Sequence, residues 1–488
     1  MAKKKTQLIA FYPSTGMDKQ GFSIGLPLGF LHTLSLLSEK ENNLIIIDGR
    51  IEKNWKQKIK RLITKNTLVL ISAMTGYQIK EALDCSKYVK SISKEIKTIW
   101  GGMHPTLFPD QTLKNKFVDF VVVGDGEETI LEFLKYHQNK NYLSKICGLG
   151  YKLNNQIIIN KNRKDFDFRK QYNIPYHLID VKNYYENFFQ TKNSLTILGG
   201  RGCPYKCTFC YENSQPKKKF QKVPVSKLIR NMKKILEFKP GGINIVDDIF
   251  FYNSKQAENI TNRIIEEKIK TKFMVNVRMD FIYNCDISVL KRLKQTGFHE
   301  MFIGIESGSQ TILNKIKKGL ILKQIIEGNK KINAAGIKPI YSFMAGFPDE
   351  TFKDVKKTID LMLRIKKDNP KAALTSLKIF TPFPKTPLFK ECEKKGFRTP
   401  KNLKEWQNFD FNTAHNTWLS KRNRKRLEKL SYITYFLDEQ TIENYFSNKI
   451  MKQVIRLYCK IIIFRCKNHI YFCMPEITLF KLFKKLFF

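Results

Sequence analysis

The sequence lacks any apolar run long enough to cross a bilayer. A membrane-spanning helix needs about 18 to 20 consecutive, mainly apolar residues without charges, and no stretch of the 488 residues meets this. Near the start, the apolar run QLIAFY is too short for the core of a signal peptide and is followed by polar turn residues. We therefore expect a cytoplasmic protein, whose ten cysteines are thiols or metal ligands rather than disulfides.

Acidic residues and arginine are scarce. The chain has 87 Lys and Arg against 44 Asp and Glu, which gives a formal net charge of +43. Such a charge suits a surface for nucleic acid or anionic lipid. However, only 16 of the basic residues are Arg, and Lys is spread along the whole length. Because Arg is the preferred residue for phosphate and base contacts, we favour a bias of composition and do not expect a nucleic-acid partner.

Strand-like and helix-like stretches alternate over the first third of the chain. The short apolar runs QLIAFYP, NLIIIDG, TLVLISA, KTIWGG and VDFVVVGDG are separated by stretches with helical spacing of apolar residues. This alternation predicts a doubly wound parallel sheet over residues 1–150, with ligands at the carboxyl ends of its strands. Residues 151–193 are predicted to be a connector with a hairpin that turns at Asn154-Asn155.

A second alternation runs over residues 194–400. Its candidate strands are SLTILGG, GINIVDD, KFMVNVRMD, MFIGIES, PIYSFMAGFP and LTSLKIF. Six strands with helices between them predict a partial (β/α)6 barrel, with its chemistry on the loops that follow the strands. Residues 401–488 are very basic, and their pattern predicts a helical C-terminal region.

The loop after the first barrel strand, RGCPYKCTFCYE, contains three cysteines, Cys203, Cys207 and Cys210. A structural zinc site usually takes four ligands in two pairs, and no second pair lies at such spacing. A disulfide leaves one cysteine over. An iron–sulfur cubane normally takes four thiolates, so three thiolates leave one iron open for another ligand.

This C-x3-C-x2-C motif, with an aromatic residue, Phe209, before its last cysteine, resembles that of the radical S-adenosylmethionine (SAM) enzymes. The resemblance implies that Cys203, Cys207 and Cys210 hold a 4Fe-4S cluster whose open iron binds the amino and carboxylate groups of SAM. It also implies cleavage of SAM to a 5′-deoxyadenosyl radical by the reduced cluster. An external one-electron donor of the flavodoxin or ferredoxin type is then needed.

Further stretches resemble the same family in order and spacing: VDDIFFYN, VNVRMD, IESGSQ and FMAGFPDET. By that likeness, Asp247 and Asp248 lie near the amino end of SAM, and Arg278 approaches its carboxylate in a charge-assisted pair. Glu306 and Ser307 are expected beside the ribose. The resemblance assigns no catalytic residue.

The stretches GGMHPTLFPD and VDFVVVGDGEETILEFL resemble the cobalamin-binding-type domain that precedes many radical SAM barrels. By this likeness Ser72 belongs to a short serine-containing loop. Gly101 and Gly102 match a glycine pair that lets the backbone approach the nucleotide tail of the corrin. The loop after the first strand, PSTGMDKQGF, lacks the histidine of the D-x-H-x-x-G motif. Cobalamin, if bound, therefore has no histidine ligand from that loop, and His104 is expected to be a turn residue.

The resemblance implies an enzyme that uses cobalamin to methylate an unactivated carbon, or that performs a related rearrangement or cyclisation. The group includes the anaerobic magnesium-protoporphyrin ester cyclases. One alternative is a tRNA-modifying methylthiotransferase, but those enzymes carry three further cysteines in front of the barrel. This chain has only Cys85 and Cys147 there. The other alternative is a non-catalytic, membrane-associated scaffold, which would not need an open-iron cluster.

The tail from Lys449 to Phe488 alternates apolar residues with Lys and Arg and contains one acidic residue, Glu476. It is either a helical cap on the barrel or a segment that docks on anionic lipid. Docking would place the protein at the inner face of the membrane and favour a lipid-like substrate over another small molecule. Three cysteines recur there every seven residues, but we do not expect a second metal site. They are Cys459, Cys466 and Cys473.

Overall fold

A computed structural model of the chain describes residues 5–15, 24–37, 42–170, 173–188, 191–214, 220–409, 416–439, 448–472, 474–475 and 477–478. The chain forms two compact units. The first unit comprises Met1–Leu198, Gln215–Gly241 and Thr399–Phe411. The second unit comprises Gly199–Ser214, Gly242–Arg398 and Asn412–Phe488.

The first unit is built on a seven-stranded sheet in the order β2-β1-β3-β4-β5-β6-β7. Its strands are β1 (Thr6–Tyr12), β2 (Asn42–Asp48), β3 (Thr67–Ser72), β4 (Lys97–Gly101), β5 (Phe120–Val122), β6 (Leu149–Leu153) and β7 (Gln156–Ile159). Strands β1 to β5 are parallel to their neighbours, as predicted. The sequences of these strands are mainly continuous apolar runs, because both faces of a parallel sheet are covered by other parts of the protein.

Helices connect these parallel strands. They are α1 (Leu28–Leu34), α2 (Trp55–Leu62), α3 (Gln78–Ile92), α4 (Met103–Leu107), α5 (Pro109–Leu113) and α6 (Glu127–Tyr136). The predicted hairpin is present and adds β6 and β7 to the sheet in antiparallel pairing. Its two turn residues, Asn154 and Asn155, have φ values of 49° and 63°, the left-handed backbone that a two-residue hairpin turn requires.

The remaining elements of the first unit are short strands and helices. They are β8 (Glu186–Phe188), β9 (Thr191–Ile197), β11 (Gln221–Lys222), α7 (Val225–Leu236) and α15 (Leu403–Trp406). Strands β8 and β9 pair in antiparallel fashion. β9 contains the SLTI part of the first predicted barrel strand.

The second unit contains five parallel strands of a second seven-stranded sheet, a curled half-barrel in which these strands lie side by side in sequence order. The strands are β12 (Gly242–Ile245), β13 (Phe273–Val277), β14 (Phe298–Glu306), β15 (Lys338–Ala345) and β16 (Ala373–Ile379). The short strand β10 (Gly200–Arg201) precedes them and belongs to a separate two-stranded sheet. Together with β9, which contains SLTI, the five strands account for all six predicted barrel strands.

Helices follow each of these strands, as expected for a barrel. They are α8 (Ser254–Glu266), α9 (Met279–Asn284), α10 (Ile287–Gln295), α11 (Gln310–Lys315), α12 (Leu322–Ala334), α13 (Phe352–Asp368) and α14 (Pro387–Lys394). A cluster of aromatic rings fills the core at one end of β13 and β14, where the ring centroids of Phe273 and Phe298 are 4.8 Å apart. Phe251 packs on Phe298 at 4.9 Å.

The C-terminal part is helical, as predicted, with α16 (Lys421–Ile433) and α17 (Lys449–Lys467). One face of α17 is buried against α13 and the 3-10 turn Thr434–Leu437. Cys459 and Cys466 lie in this packed face, whereas Cys473 lies outside the described residues. In the part of the chain that the structure describes, no helix has the length and apolar character to span a membrane.

Candidate functional site

The cysteine loop lies in the second unit and brings three free thiols together. Cys207 is buried, and Cys203 and Cys210 are half-buried. Burial is the largest of the causes that raise the pKa of Cys203 to about 11 and that of Cys210 to about 12, and the charge of the neighbouring thiol groups is a smaller one. This mutual effect shows that the three sulfur atoms lie within electrostatic reach of one another. Metal binding converts such neutral thiols into thiolates.

Backbone groups of the loop already point at two of the sulfur atoms. The backbone N–H group of Tyr205 lowers the pKa of Cys203, and that of Glu212 lowers the pKa of Cys210. In each case the N–H dipole favours the charged form of the thiol. The loop backbone therefore offsets part of the free-energy cost of burying a thiolate.

Four hydrogen bonds that involve the loop backbone fix its shape. Asn213 donates its Nδ2 protons to the carbonyl oxygens of Tyr205 and Cys207, at 3.3 and 3.0 Å. The N–H group of Thr208 donates to the carbonyl oxygen of Ile316 at 2.9 Å, and the N–H group of Leu388 donates to that of Thr208 at 3.0 Å. The loop is thus tied to the end of α11 and to the first turn of α14.

The donor set fits a cubane cluster. Three cysteines on one loop suit a cluster in which each thiolate binds a different iron, with a fourth iron left open. A site for a single ion differs, because its ligands converge on one point. Among the residues that the structure describes, no three His, Cys, Asp or Glu side chains converge in that way.

Arg278, which directly follows β13, presents a cation to the cysteine loop. Its Nη1 lies 4.0 Å from the sulfur of Cys207, and its guanidinium carbon lies 3.6 Å from the ring centroid of Tyr205. Nε pairs with Asp280 at 3.1 Å, and Nη2 donates to the carbonyl oxygen of Lys318 at 2.6 Å. The side chain is buried, so its position is fixed from several sides. A fixed cation beside the cluster loop suits a ligand carboxylate.

The two aspartates that follow β12 differ in their surroundings. Asp247 is buried, and its Oδ1 accepts a hydrogen bond from the N–H group of Gly199 at 2.6 Å. Asp248 is half-exposed, accepts a hydrogen bond from the hydroxyl group of Tyr211, and raises the pKa of both Cys203 and Cys210. Asp248 is therefore the one whose charge reaches the cluster loop, while Asp247 holds the backbone at the start of that loop.

Glu306 and Ser307 lie at the end of β14, where the register against β15 shifts between Gly304 and Glu306. Glu306 has a φ of 71° and forms a buried ion pair with Lys318 at 2.8 Å. The hydroxyl of Ser307 is fully buried, lies 3.2 Å from that of Thr358 and accepts a hydrogen bond from the N–H group of Ser309. Ser307 thus helps to shape the bend that presents Glu306. A role for either residue beside the SAM ribose stays a prediction.

Residues that the sequence did not single out complete this site. Tyr205 and Tyr211 lie next to the three cysteines in the loop, and Nζ of Lys318 lies 5.9 Å from the ring centroid of Phe209. The ring of Phe209 also packs 5.9 Å from that of Phe347. Both tyrosines lie within the quoted cysteine stretch, so proximity in sequence could have indicated them. Lys318 is brought in from a distant helix end, and no local pattern marks it.

In the first unit, the carboxyl ends of β3 and β4 form a backbone edge with few side chains. The N–H group of Ala73 donates to the carbonyl oxygen of Gly101 at 2.9 Å. Gly102 has a φ of 96°, and a Cβ atom there would lie 3.0 Å from the carbonyl oxygen of Ala73. Ser72 lies beside this glycine, and Met74 exposes 46% of its side chain at the same edge. A glycine edge next to an exposed apolar side chain suits the nucleotide tail of cobalamin.

His104 is enclosed in the first unit. It is fully buried, its Nδ1 lies 3.3 Å from the hydroxyl of Thr75, and its ring packs against Phe108 and Trp406 at 5.4 and 5.7 Å. Burial lowers its pKa to about 3, so the ring is neutral and structural. Most of the loop after β1, residues 16–23, lies outside the described residues.

Glu350 lies in the FMAGFPDET stretch after β15. We expect the stability of the protein to depend on pH because of its carboxyl group. Its Oε2 accepts hydrogen bonds from the N–H groups of Gly346 and Phe347, yet burial raises its pKa from 4.5 to about 8. The folded chain therefore holds this proton more tightly than the unfolded chain. The resulting stabilisation is full below about pH 4.5 and is lost as the pH rises through about 8, at up to about 1.4 kcal/mol per pH unit.

We expect Glu350→Gln to flatten this dependence, because the amide stays neutral. The measurement is the apparent melting temperature of both proteins across the range from about pH 5 to about pH 8.5. Asp349→Asn, at the exposed neighbour, is the matched control and should keep the wild-type slope. Parallel curves for wild type and Glu350→Gln would contradict the assignment.

Two protein families match the chain. The Radical SAM superfamily matches residues 197–362, and the B12 binding domain matches residues 22–134. An uncharacterized methyltransferase of Pyrococcus horikoshii is 29% identical over 441 residues, which cover 88% of this chain and 93% of the relative. An anaerobic magnesium-protoporphyrin IX monomethyl ester cyclase of Synechocystis sp. is 21% identical over 352 residues, which cover 69% of this chain and 68% of the relative.

The fold is also that of a solved structure, the cobalamin-dependent S-adenosylmethionine radical enzyme OxsB with aqua-cobalamin and S-adenosylmethionine bound. The TM-score is 0.76 at 17% identity, with 99% of this chain and 75% of that chain covered. Fold and site together define an enzyme with an iron–sulfur half-barrel and a corrinoid-type sheet domain. The chain contains a radical SAM domain over residues 197–362 and a B12 binding domain over residues 22–134. Its cofactors are a 4Fe-4S cluster, SAM and cobalamin.

Proposed function

We propose that this enzyme cleaves SAM reductively and transfers a methyl group to an unactivated carbon of a small or lipid-like substrate. The observation that carries the proposal is the three-thiol loop with Arg278 fixed beside it, in a chain that also has a B12 binding domain. When bound, the cluster supplies the electron that cleaves SAM to a 5′-deoxyadenosyl radical, and cobalamin supplies the methyl group.

The residues of this chain position and protect that chemistry. Cys203, Cys207 and Cys210 would hold three irons, and Arg278 would hold the SAM carboxylate through Nη1, the nitrogen that faces the cysteine loop. Asp248 would receive the SAM amino group, since its charge reaches the same loop. The rings of Phe209 and Phe347 pack against each other and would give the loop an apolar neighbour on that side.

A radical cyclisation is the second candidate, because one relative is a magnesium-protoporphyrin ester cyclase. In both cases the electron would come from an external flavodoxin- or ferredoxin-type protein, and we place the enzyme in the reducing cytoplasm. The two alternatives from the sequence predict other results. A methylthiotransferase with a second cluster would hold about eight irons per chain rather than about four, and a scaffold would cleave no SAM.

The test is turnover by the anaerobically reconstituted full-length protein. With dithionite, SAM and methylcobalamin, we expect 5′-deoxyadenosine to form, measured by liquid chromatography and mass spectrometry. Formation of S-adenosylhomocysteine in step with it would support methyl transfer, because SAM is then also the methyl source. 5′-Deoxyadenosine without S-adenosylhomocysteine in the presence of substrate would favour cyclisation. Absence of both would overturn the proposal.

We further predict that the bound cobalamin has no histidine ligand from the protein. The loop after β1 carries no histidine, and His104 is enclosed by Phe108 and Trp406. The electron paramagnetic resonance spectrum of the Co(II) form should therefore show no splitting from an imidazole nitrogen. His104→Gln should leave that spectrum unchanged, whereas imidazole splitting in the wild type would contradict the prediction.

A further inference from the structure

Helix α17 carries apolar residues on two different faces. One face is buried in the second unit and consists of Ile455, Tyr458, Cys459, Ile462 and Cys466. The other face remains exposed although it is just as apolar. We call it the apolar stripe; its side chains are 40% to 69% exposed, and they are Ile450, Val454, Leu457, Ile461 and Phe464.

The apolar stripe is continuous along the helix. Its members follow one another at intervals of four, three, four and three residues, which places them in one row on a helix of 3.6 residues per turn. Phe472, just beyond the helix, is 72% exposed and adds to the apolar surface. Single exposed apolar residues are common on soluble proteins, but a row of five is typical of a contact surface.

A row of basic residues borders the apolar stripe. These residues are exposed and separated by seven, four and seven positions, so they line one flank of the helix; they are Lys449, Arg456, Lys460 and Lys467. Arg465 lies on the opposite flank. Helix α17 contains no Asp or Glu from Lys449 to Lys467. The exposed surface of this helix is therefore apolar in its centre and positive at its border.

We infer that the apolar stripe docks on the surface of an anionic lipid bilayer. A helix with this pattern lies in the plane of the interface, with its apolar residues inserted to a depth of about 5 to 10 Å. At 1.5 Å per residue, the apolar stripe from Ile450 to Phe464 forms a contact line about 21 Å long. Basic residues close to anionic headgroups strengthen this binding, and salt weakens it. The buried face meanwhile anchors the helix to the second unit.

The charge of the helix favours a bilayer, rather than a second copy of the chain, as the partner of the apolar stripe. Two copies paired through the apolar stripe would bring their own basic borders close together, and the helix offers no carboxylate to compensate them. An anionic bilayer supplies negative charge along the whole border. The inference does not depend on the proposed radical chemistry, since it concerns only the surface of α17.

The experiment is co-sedimentation of the full-length protein with vesicles of phosphatidylcholine containing about 30% phosphatidylglycerol, at low and moderate salt. We expect wild type to pellet with these vesicles, less so at moderate salt, and to stay in solution with pure phosphatidylcholine. The variant Leu457→Glu with Phe464→Glu should lose at least about tenfold in partitioning, because two charged side chains replace inserted apolar ones. Ile265→Glu with Ile321→Glu, at two isolated exposed positions, is the matched control and should behave as wild type.

Three results would overturn the inference. They are no pelleting of wild type with anionic vesicles, equal pelleting of the apolar-stripe variant, and a wild-type dimer in light scattering that the apolar-stripe variant abolishes. The last result would assign the surface to a second copy. An unchanged melting temperature shows that each variant is folded, and SAM cleavage measured in parallel without vesicles separates this outcome from a failure of the proposed function.

Discussion

Replacement of Cys203, Cys207 or Cys210 by alanine will abolish SAM cleavage. Each substitution removes one of three thiolates from a cluster that already has one iron without a protein ligand. We expect 5′-deoxyadenosine formation to fall below detection in each single variant. Iron content and the brown absorbance of the cluster should decrease with it.

Cys147→Ala and Cys285→Ala are the controls for this prediction. Cys147 is half-buried like Cys203 and Cys210, and Cys285 is buried like Cys207, so each pair has similar exposure. Both control variants should bind iron and cleave SAM as wild type does, at a modest cost in stability. A triple variant of the three loop cysteines that kept its cluster and its activity would refute the assignment of the ligands.

Substitution of Arg278 by methionine is expected to weaken SAM binding by about 10- to 100-fold, the range for loss of a hydrogen bond to a charged group. The guanidinium is held by Asp280, by the carbonyl oxygen of Lys318 and by the ring of Tyr205. Its remaining edge faces the cysteine loop. Lysine at this position should rescue little, because an ammonium group cannot reproduce the planar fork that these three partners hold.

A different result is expected if Arg278 only stabilises the fold and does not bind SAM. If Arg278→Met lost only stability, the melting temperature would fall while the dissociation constant for SAM, measured on folded protein, stayed at the wild-type value. We expect the dissociation constant to rise and the iron content to remain unchanged. Arg263→Met is the matched control, because Arg263 forms ion pairs with Glu266 and Glu267 on α8, away from the cysteine loop.

Much of the fold follows from the sequence because parallel strands are buried on both faces. That burial selects uninterrupted apolar runs, such as LIAFY in β1 and LVLI in β3. The hairpin turn at Asn154-Asn155 was also predictable from the sequence, because asparagine tolerates the positive φ that both turn positions require. The short strand β8 carries no such signal, as only three residues form it.

Spacing alone predicted the site only where its residues are local in sequence, and the more distant residues, such as Arg278, were indicated by the family resemblance. Three cysteines within eight residues fix their own proximity. The different surroundings of Asp247 and Asp248 depend on Gly199 and Tyr211, which lie far from both along the chain. The stacking of Arg278 on Tyr205 is a long-range contact of the same kind, so spacing alone does not reveal it.

The backbone bonds of Thr208 have a consequence for substitutions that lie far from the cysteine loop. Its N–H and carbonyl groups are bonded to Ile316 and Leu388, so the half-barrel itself holds the cysteine loop in place. A substitution that displaces the end of α11 or the first turn of α14 would therefore move the three cysteines without touching them. The spacing of these thiols is thus set partly by two helix ends that contribute no thiol of their own.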